Sequence, residues 1–371
     1  MGKSIKLFRI MGIPFGLHPS WFLIFIFLTW SLANGYFASE AIALPSWGVW
    51  ALGLLTSILF FGSVLAHELG HSFVALRNNI PVKSISLFFL GGVAEIEREP
   101  DEPGQEFRIA IAGPMVSLVL ALAFNSLGGA LTGLPFLAAA AEYLGRVNLL
   151  LGLFNLIPGF PMDGGRILRA VIWKLSGDNY RATRAASFTG QLVAIGFIGY
   201  GMFSVFSGNL ASGVWLGFIG LFLLNAAGSA SAQMRIQQKL DGIMVDQVMN
   251  RDYPLVPGET TLDQVVNQTL SGNSLESFMV VEDERQPGFL TLREITKVPR
   301  HLWSRITAKE VMKPWEGLVS VNSGTPLLSA LREMEAAGVK LVPVIDGVQI
   351  MGVLSREQVM RYLRLRTELG T

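Results

Sequence analysis

The sequence predicts a polytopic α-helical membrane protein followed by a soluble α/β domain. Of its 371 residues, 51% are hydrophobic and only 15% are charged, which is too apolar for an ordinary soluble globule. The charge is also uneven, because residues 1–235 hold 14 of the 29 Lys and Arg residues and the shorter remainder holds the rest. We therefore expect a membrane-embedded domain over residues 1–235 and a soluble domain over residues 236–371.

Six apolar runs are long enough to cross a bilayer, which takes about 20 residues each. Lys and Arg cluster before the first run and after the second, fourth and sixth, whereas the other three connections contain none. The positive-inside rule therefore predicts an integral membrane protein with both termini in the cytosol. The basic start of the chain has no cleavage site and is interpreted as a cytosolic leader. The runs lie near residues 19–38, 49–76, 106–128, 135–158, 187–206 and 210–232.

A short segment between the second and third runs has the pattern of a β-hairpin. Apolar and polar residues alternate in "VKSISLFFLGGVAEIE", and Gly91-Gly92 is a turn signal. The predicted hairpin over 84–96 is too short to span the bilayer. Because open strand edges do not face lipid, we expect it at the cytosolic interface or lining a cavity.

The soluble part of the chain contains two copies of one unit. Val248-Met249 recurs as Val311-Met312, and "GFLTLRE" at 288–294 recurs as "GVLSREQ" at 352–358. A repeat of this kind indicates a duplicated structural module. We expect the two α/β copies at about 244–300 and 307–366.

Three ionisable residues lie at the end of the second apolar run, in "AHELGH". His67 and His71 are separated by four residues, so both lie on one side of a helix, with Glu68 beside them. The H-E-x-x-H pattern is typical of two zinc ligands with a carboxylate general base. Such groups at lipid depth are costly and usually functional. The chain has no Cys, so a metal site must use His and carboxylates.

A catalytic zinc takes a third protein ligand and keeps an open position for water. Asp163 is the candidate, because it follows a helix broken by Pro158 and Pro161 in "FNLIPGFPMDGGRILRA". The second and fourth runs both head toward the cytosol, which places Asp163 at the depth of the histidines. The alternative is that Asp163 is the N-cap of a helix over 164–174.

Four motifs together, "AHELGH", "GGVAEIE", "AGPMVSL" and "FNLIPGFPMDGGRILRA", resemble those of the site-2 protease family of intramembrane zinc metalloproteases. The similarity is to the prokaryotic branch with a C-terminal pair of cystathionine-β-synthase (CBS) domains. It implies one zinc per chain held by His67, His71 and Asp163, with Glu68 as the catalytic base. It also suggests that Asn155 positions the substrate or the oxyanion. His18 matches a histidine common in this branch and is interpreted as an interfacial residue.

The resemblance implies hydrolysis of a peptide bond in or near the transmembrane segment of a single-span membrane protein, such as a membrane-held anti-sigma factor. The substrate helix must first be opened, and a hairpin edge at Leu87 or Phe89 would hold the unwound segment by strand addition. Two alternatives are a divalent-metal transporter and an inactive scaffold regulated by the CBS pair. The sequence shows no inverted repeat of the transporter kind, and a transporter has no need for Glu68.

The CBS motif for adenosine nucleotides ends in a hydroxyl residue followed three positions later by Asp. Here the hydroxyls are Thr291 and Ser355, and the Asp is replaced by Glu294 and Gln358. Both adenine-nucleotide binding and a purely structural or dimerising role stay open, and the latter implies a homodimer. We expect no nucleic-acid partner. On the fourth run, Glu142 and Arg146 are spaced to form an i,i+4 ion pair.

Overall fold

The structure is a computed structural model that describes residues 4–39, 44–89, 91–131, 133–251, 255–271, 277–281, 287–314, 319–347 and 349–369. Contacts within the chain divide it into two compact units, Met1–Arg235 and Ile236–Thr371.

Among the described residues, six helices are long and apolar enough to cross a membrane, which confirms the predicted number. The fourth helix ends at Asn155 rather than 158, because the proline-rich segment that follows leaves the helix. A shorter helix, α5 (Asp163–Ser176), then precedes the fifth span. The six spans are α1 (Pro19–Ser39), α2 (Ser46–Arg77), α3 (Pro103–Ala130), α4 (Pro135–Asn155), α6 (Asn179–Phe206) and α7 (Leu210–Leu240).

Helix α2 carries the H-E-x-x-H motif well inside its length. Its 32 residues extend over about 48 Å at 1.5 Å per residue, whereas the hydrocarbon layer is about 30 Å thick. In a helix centred on the bilayer, His67 and His71 lie within the hydrocarbon layer. The length of α2 thus allows the motif to lie at membrane depth.

A four-stranded sheet accompanies these helices, in the order β1 (Ile5–Ile10), β2 (Ile13–Leu17), β3 (Val82–Phe88) and β4 (Gly91–Ile96). The β3–β4 hairpin confirms the prediction, but Gly91-Gly92 begins β4 instead of forming the turn. The basic start of the chain, interpreted above as a leader, forms β1 and β2. Strand β2 pairs in parallel with β3, an association between distant segments that no local pattern signals.

The pairing of β3 corrects the predicted binding edge. Leu87 lies opposite Leu17 on one side and Gly92 on the other, so it belongs to an interior strand. Phe89 lies beyond the end of β3. The free edge next to the hairpin is therefore β4.

The sheet is anchored on α2 by alternate side chains. Ile85 and Leu87 of β3 form one buried cluster with Phe61 and Val64 of α2. Side chains two apart on a strand lie on the same face, which is why these two face the helix. Val64 lies one turn before His67, so this packing fixes the sheet close to the motif.

Glu142 and Arg146 of α4 form the predicted ion pair, with 3.9 Å between their charged atoms. Arg146 also donates a hydrogen bond of 2.6 Å to the Tyr36 hydroxyl. Both side chains are more than half exposed. The pair lies within α4, and the bond from Arg146 to Tyr36 joins α4 to α1.

The second unit contains the two predicted α/β copies. One sheet is formed by β5 (Leu255–Pro257), β6 (Ser277–Val281), β7 (Pro287–Thr291) and β8 (Lys313–Pro314), and the other by β9 (Val321–Asn322), β10 (Leu341–Asp346) and β11 (Gln349–Ser355). Each sheet packs helices over its own buried core. These helices are α8 (Leu262–Ser271), α9 (Leu292–Ile295), α10 (Ala308–Val311), α11 (Leu327–Ala336) and α12 (Arg356–Leu369).

Candidate metal centre

Three metal-ligating side chains meet between α2 and α5. The Nε2 atoms of His67 and His71 are 3.2 Å apart, and each lies 3.1 Å from Oδ2 of Asp163. Both histidines are almost fully buried, at 4% and 6% exposure. The structure thus brings together residues that are more than 90 positions apart in the sequence.

The second nitrogen of each imidazole is fixed by a neighbour on α3. Nδ1 of His71 donates a 2.7 Å hydrogen bond to the carbonyl oxygen of Ile109, and Nδ1 of His67 lies 2.9 Å from the Ser117 hydroxyl. Because a carbonyl oxygen can only accept, Nδ1 of His71 carries the proton, and neutral His71 turns its Nε2 lone pair inward. Such outer partners are typical of metal-ligating histidines.

This donor set fits zinc. The inward Nε2 lone pair of His71 and the carboxylate oxygen of Asp163 repel each other unless a cation or an added proton lies between them, and Nε2 of His67 lies equally close to both atoms. Three ligand atoms at zinc distances in a tetrahedral arrangement are about 3.3 Å apart, close to the 3.1–3.2 Å found here. Two nitrogens and one oxygen also match the ligand preference of a catalytic zinc with one position left for water.

Gly113 of α3 leaves the space that this cluster occupies. A Cβ atom there would lie 2.2 Å from Nε2 of His71 and 2.6 Å from Nε2 of His67. The structure thus shows that the missing side chain of Gly113 makes room for the two imidazoles. The signal that pointed here was the motif "AGPMVSL", which also contains Ser117.

We expect Gly113→Ala to weaken zinc binding, because the added methyl group displaces both imidazoles from the cluster. The loss of affinity should be at least about tenfold, since loss of a mere outer hydrogen-bond partner already lowers metal affinity 10–100-fold. Zinc content of the purified protein, measured by elemental analysis after dialysis, checks this. Gly129→Ala is the matched control on the same helix, since a Cβ there meets nothing within 4 Å. Equal zinc in both variants would contradict the role of Gly113.

Asp163 reaches the histidines because the segment before it folds tightly onto the start of α5. A Cβ on Gly164 would lie 2.3 Å from the carbonyl oxygens of Leu156 and Ile157, so only glycine permits this approach. The helix begins at Asp163 itself, with Met162 at the N-cap and no side-chain capping bond. The N-cap alternative for Asp163 is therefore wrong, and its carboxylate faces the histidines.

A buried ion pair fixes α5 against α3. Arg169 donates to the Glu106 carboxylate, with 2.7 Å from Nε to Oε1, and Glu106 is completely buried. Nε of Arg166 lies 3.9 Å from the same oxygen. A buried carboxylate is stable only when it is paired in this way. The ion pair therefore fixes the position of Asp163 relative to Ile109 and Ser117, the residues of α3 that bond to the two imidazoles. The sequence did not suggest this contact.

A cavity of about 520 Å³ opens onto the cluster. Its polar lining includes Glu68, Asn155 and Arg166, and its apolar walls come mainly from α1, α2 and β4. Asn155 donates one amide N–H to the carbonyl of Leu151 at 3.0 Å, which leaves its second N–H for a ligand. The cavity is large enough for an extended peptide segment next to the histidines.

Glu68 lies between the cluster and the free edge of the sheet. It is only partly buried, unlike the two histidines, and it accepts a hydrogen bond from the backbone amide of Ala94 on β4. A Cβ on Gly92 would lie 2.5 Å from Cγ of Glu68, so the glycine lets the strand approach the carboxylate. The motif "GGVAEIE" therefore serves this contact.

His18 lies outside the cluster. It is the N-cap of α1, where its Nδ1 accepts a 3.2 Å hydrogen bond from the backbone N–H of Ser20. Capping of this kind satisfies a helix N–H that would otherwise lack a partner. The structure thus gives His18 a capping role at the start of α1.

Each of the two CBS hydroxyls has a partner in the helix that follows its strand. The Ser355 amide donates to Gln358 at 2.8 Å and the Gln358 amide to the Ser355 hydroxyl at 3.2 Å, which is a capping box. Thr291 donates to the Glu294 carboxylate. Burial by itself would raise the pKa of Glu294, but the Thr291 hydroxyl and Lys313, at 3.4 Å, outweigh it and lower this pKa. Glu294 therefore stays ionised in this contact.

Comparison with known families agrees with these features. The model of Peptidase family M50 matches residues 55–142 and 135–197, and these ranges contain the histidines, Glu68 and Asp163. The CBS domain model matches residues 245–301 and 308–365. The metal cluster and the duplicated unit thus fall within recognised domains.

Relatives match along almost the whole chain. "Putative zinc metalloprotease sll0528" of Synechocystis is 33% identical over 98% of this chain and 96% of its own length. "Zinc metalloprotease MJ0392" of Methanocaldococcus jannaschii is 31% identical over 100% and 99%. A solved site-2 protease from the same archaeon is 36% identical, with a TM-score of 0.43, covering 62% of this chain and 95% of that chain. The chain therefore belongs to peptidase family M50, the site-2 protease family, and is a membrane-embedded zinc metalloprotease with two CBS domains.

Proposed function

We propose that this protein hydrolyses a peptide bond in or near the transmembrane segment of a single-span membrane protein, with one zinc held by His67, His71 and Asp163. The observation that carries this proposal is the convergence of two imidazole nitrogens and a carboxylate oxygen, 3.1–3.2 Å apart, beside a second carboxylate. Metal storage or transport needs only the first of these features. Hydrolysis needs both.

Glu68 acts as the general base. Its carboxylate accepts a proton from the attacking water and returns it to the leaving amine, which is the role expected of the glutamate in H-E-x-x-H. Zinc, when bound, supplies a Lewis acid that makes water a nucleophile near neutral pH. The second N–H of Asn155 is placed in the cavity wall to donate to a substrate carbonyl. The cavity at membrane depth gives water access to a bond that lipid would otherwise cover.

The substrate segment binds as an added strand on β4. This edge lines the cavity next to Glu68, and the Ala94 amide points away from β3 toward that carboxylate. An extended peptide would therefore gain main-chain hydrogen bonds beside the cluster. Strand addition also explains how a helical segment is held open while it is cut.

We expect Ile96→Pro to lower cleavage by roughly tenfold with zinc content unchanged, because one main-chain hydrogen bond contributes about 0.5–1.5 kcal/mol. The Glu97 amide donates toward β3, to Pro81, so the neighbouring Ile96 amide points to the free side. Proline removes that donor. Ile96→Ala is the control, since it loses the side chain but keeps the N–H. Equal cleavage rates in the two variants would argue against strand addition.

We infer that the site lies on the cytosolic side of a prokaryotic cytoplasmic membrane, with both termini and the CBS pair in the cytosol. The charge pattern of the connections supports this orientation.

A membrane-held regulator such as an anti-sigma factor is the proposed kind of substrate. A Glu68→Gln trap, purified from its host membrane and analysed by mass spectrometry, tests this. Enrichment of single-span proteins over multi-span proteins is the expected result, and equal recovery of both would contradict it.

The CBS pair is proposed to modulate the protease or to join two chains. We expect no thermal shift of the full-length protein with 1 mM ATP or AMP, because the Thr291 and Ser355 hydroxyls already bond to Glu294 and Gln358 of the helices that follow them. The double variant Glu294→Asp/Gln358→Asp restores the acidic residue of the motif and should gain a shift by mass action on the bound state. Differential scanning fluorimetry in detergent measures both. A thermal shift for the unaltered protein would instead support nucleotide binding. Light scattering of the same protein tests whether two chains join, because it separates a dimer from a monomer.

A further inference from the structure

A second polar cavity lies between α6 and α7, away from the metal cluster. It has a volume of about 410 Å³ and is lined by the first turns of α6 and the last turns of the α7 segment that belongs to the first unit. Six polar residues line it: Tyr180, Thr183, Arg184, Gln191, Ser231 and Arg235. The mechanism above uses none of them.

The charge of this cavity is positive and unbalanced. Among the described residues, no carboxylate lines it, and neither Arg184 nor Arg235 has an acidic partner within 4 Å. Arg181 on the same helix differs, since it is paired with Asp178 at 3.1 Å. Two guanidinium groups that line one cavity with hydroxyl and amide donors form a donor set for a phosphate group, which accepts several charge-assisted hydrogen bonds.

The cavity also lies at the ends of two apolar runs, where a spanning helix is expected to reach the headgroups. The apolar run of α6 begins at about residue 187 and that of α7 ends at about 232, so the arginines flank the ends of both runs. Phe188, one turn from Arg184, lines the cavity and is 61% exposed. An apolar side chain beside a basic polar pocket is the arrangement that an anionic lipid needs, and basic pockets between spans bind such headgroups.

The geometry points to a phosphate-ester binding site between Arg184 and Arg235. Two sources share this chemistry, the headgroup of an anionic lipid and a soluble phosphate ester. The site is separate from the metal cluster, and its existence does not depend on the proposed cleavage reaction.

The test uses the full-length protein in detergent with dioctanoyl phosphatidylglycerol, dioctanoyl phosphatidylcholine and glycerol 3-phosphate as probes. We expect phosphatidylglycerol to bind at least tenfold more tightly than phosphatidylcholine. Arg184→Gln/Arg235→Gln should remove that preference. Arg77→Gln/Arg181→Gln, which removes the same charge from residues that do not line the cavity, should bind within about twofold of the unaltered protein. Displacement of the lipid by millimolar glycerol 3-phosphate would identify a soluble ester as the ligand, and its absence would identify the lipid.

Gly228→Leu tests the cavity without changing any charge. A Cβ on Gly228 meets only Nε2 of Gln191, at 4.0 Å, and Gly228 lines the cavity, so we expect the larger side chain to fill part of it. Gly228→Leu should reduce phosphatidylglycerol binding at least tenfold, while its zinc content and gel-filtration profile stay unchanged. This variant therefore tests the cavity even if the double arginine variant does not fold. Equal binding of the two lipids, an equal loss in Arg77→Gln/Arg181→Gln, or full binding by Gly228→Leu would overturn the proposal.

Discussion

Glu68→Gln is expected to abolish peptide cleavage while leaving zinc bound. Glutamine keeps the shape of the side chain and can still accept the hydrogen bond from Ala94, but it cannot take a proton from water. Removal of a general base typically lowers the rate 10²–10⁴-fold, and we expect a loss at least in that range. Purified protein with a panel of single-span substrates, analysed by gel and mass spectrometry, measures the cleavage.

The same variant separates the protease from a metal transporter. If the cluster moved metal, loss of one charge beside two histidines would change zinc flux, and the unaltered protein would produce no peptide products. Zinc uptake into proteoliposomes is therefore measured in parallel, and Glu142→Gln, a glutamate on α4 that does not line the cavity, serves as the control. Zinc flux without cleavage of any substrate would overturn the proposed function. Cleavage that survives in Glu68→Gln would keep the function but remove Glu68 from its role.

His71→Ala and Asp163→Ala are expected to lower zinc affinity by at least about 100-fold, because each leaves only two of the three protein ligands. Loss of a mere outer partner already costs 10–100-fold, so loss of a ligand should cost more. Zinc content after dialysis against a mild chelator gives the measurement, and the unaltered protein should retain about one zinc per chain.

His301→Ala is the matched control for these variants, since it removes one of only four histidines from an exposed position in the second unit. It should keep full zinc content. Retention of zinc by both His71→Ala and Asp163→Ala would refute the assigned ligand set, whereas cleavage assays alone would not distinguish lost zinc from lost folding.

The sequence by itself determined the features that depend on local pattern and composition. Six apolar runs set the number of spans, because a helix satisfies its own backbone hydrogen bonds and only its length and polarity decide whether it crosses lipid. The spacing of His67 and His71 placed both on one helix face for the same reason. The duplicated unit was visible because each copy carries the same short motifs.

Only the tertiary structure decided how distant segments meet. Strand β2 pairs with β3 across more than 60 residues, and this contact makes β4 rather than Leu87 the free edge. Gly113, Ser117 and Glu106 gain their roles from atoms on other helices, and no periodicity marks a glycine that must leave space for two imidazoles. Local pattern reports which face of an element is apolar, whereas the neighbour on that face is set by packing of the whole chain. For this reason the sequence could show the H-E-x-x-H pattern that we propose to bind zinc, but not the side chains that hold it in place.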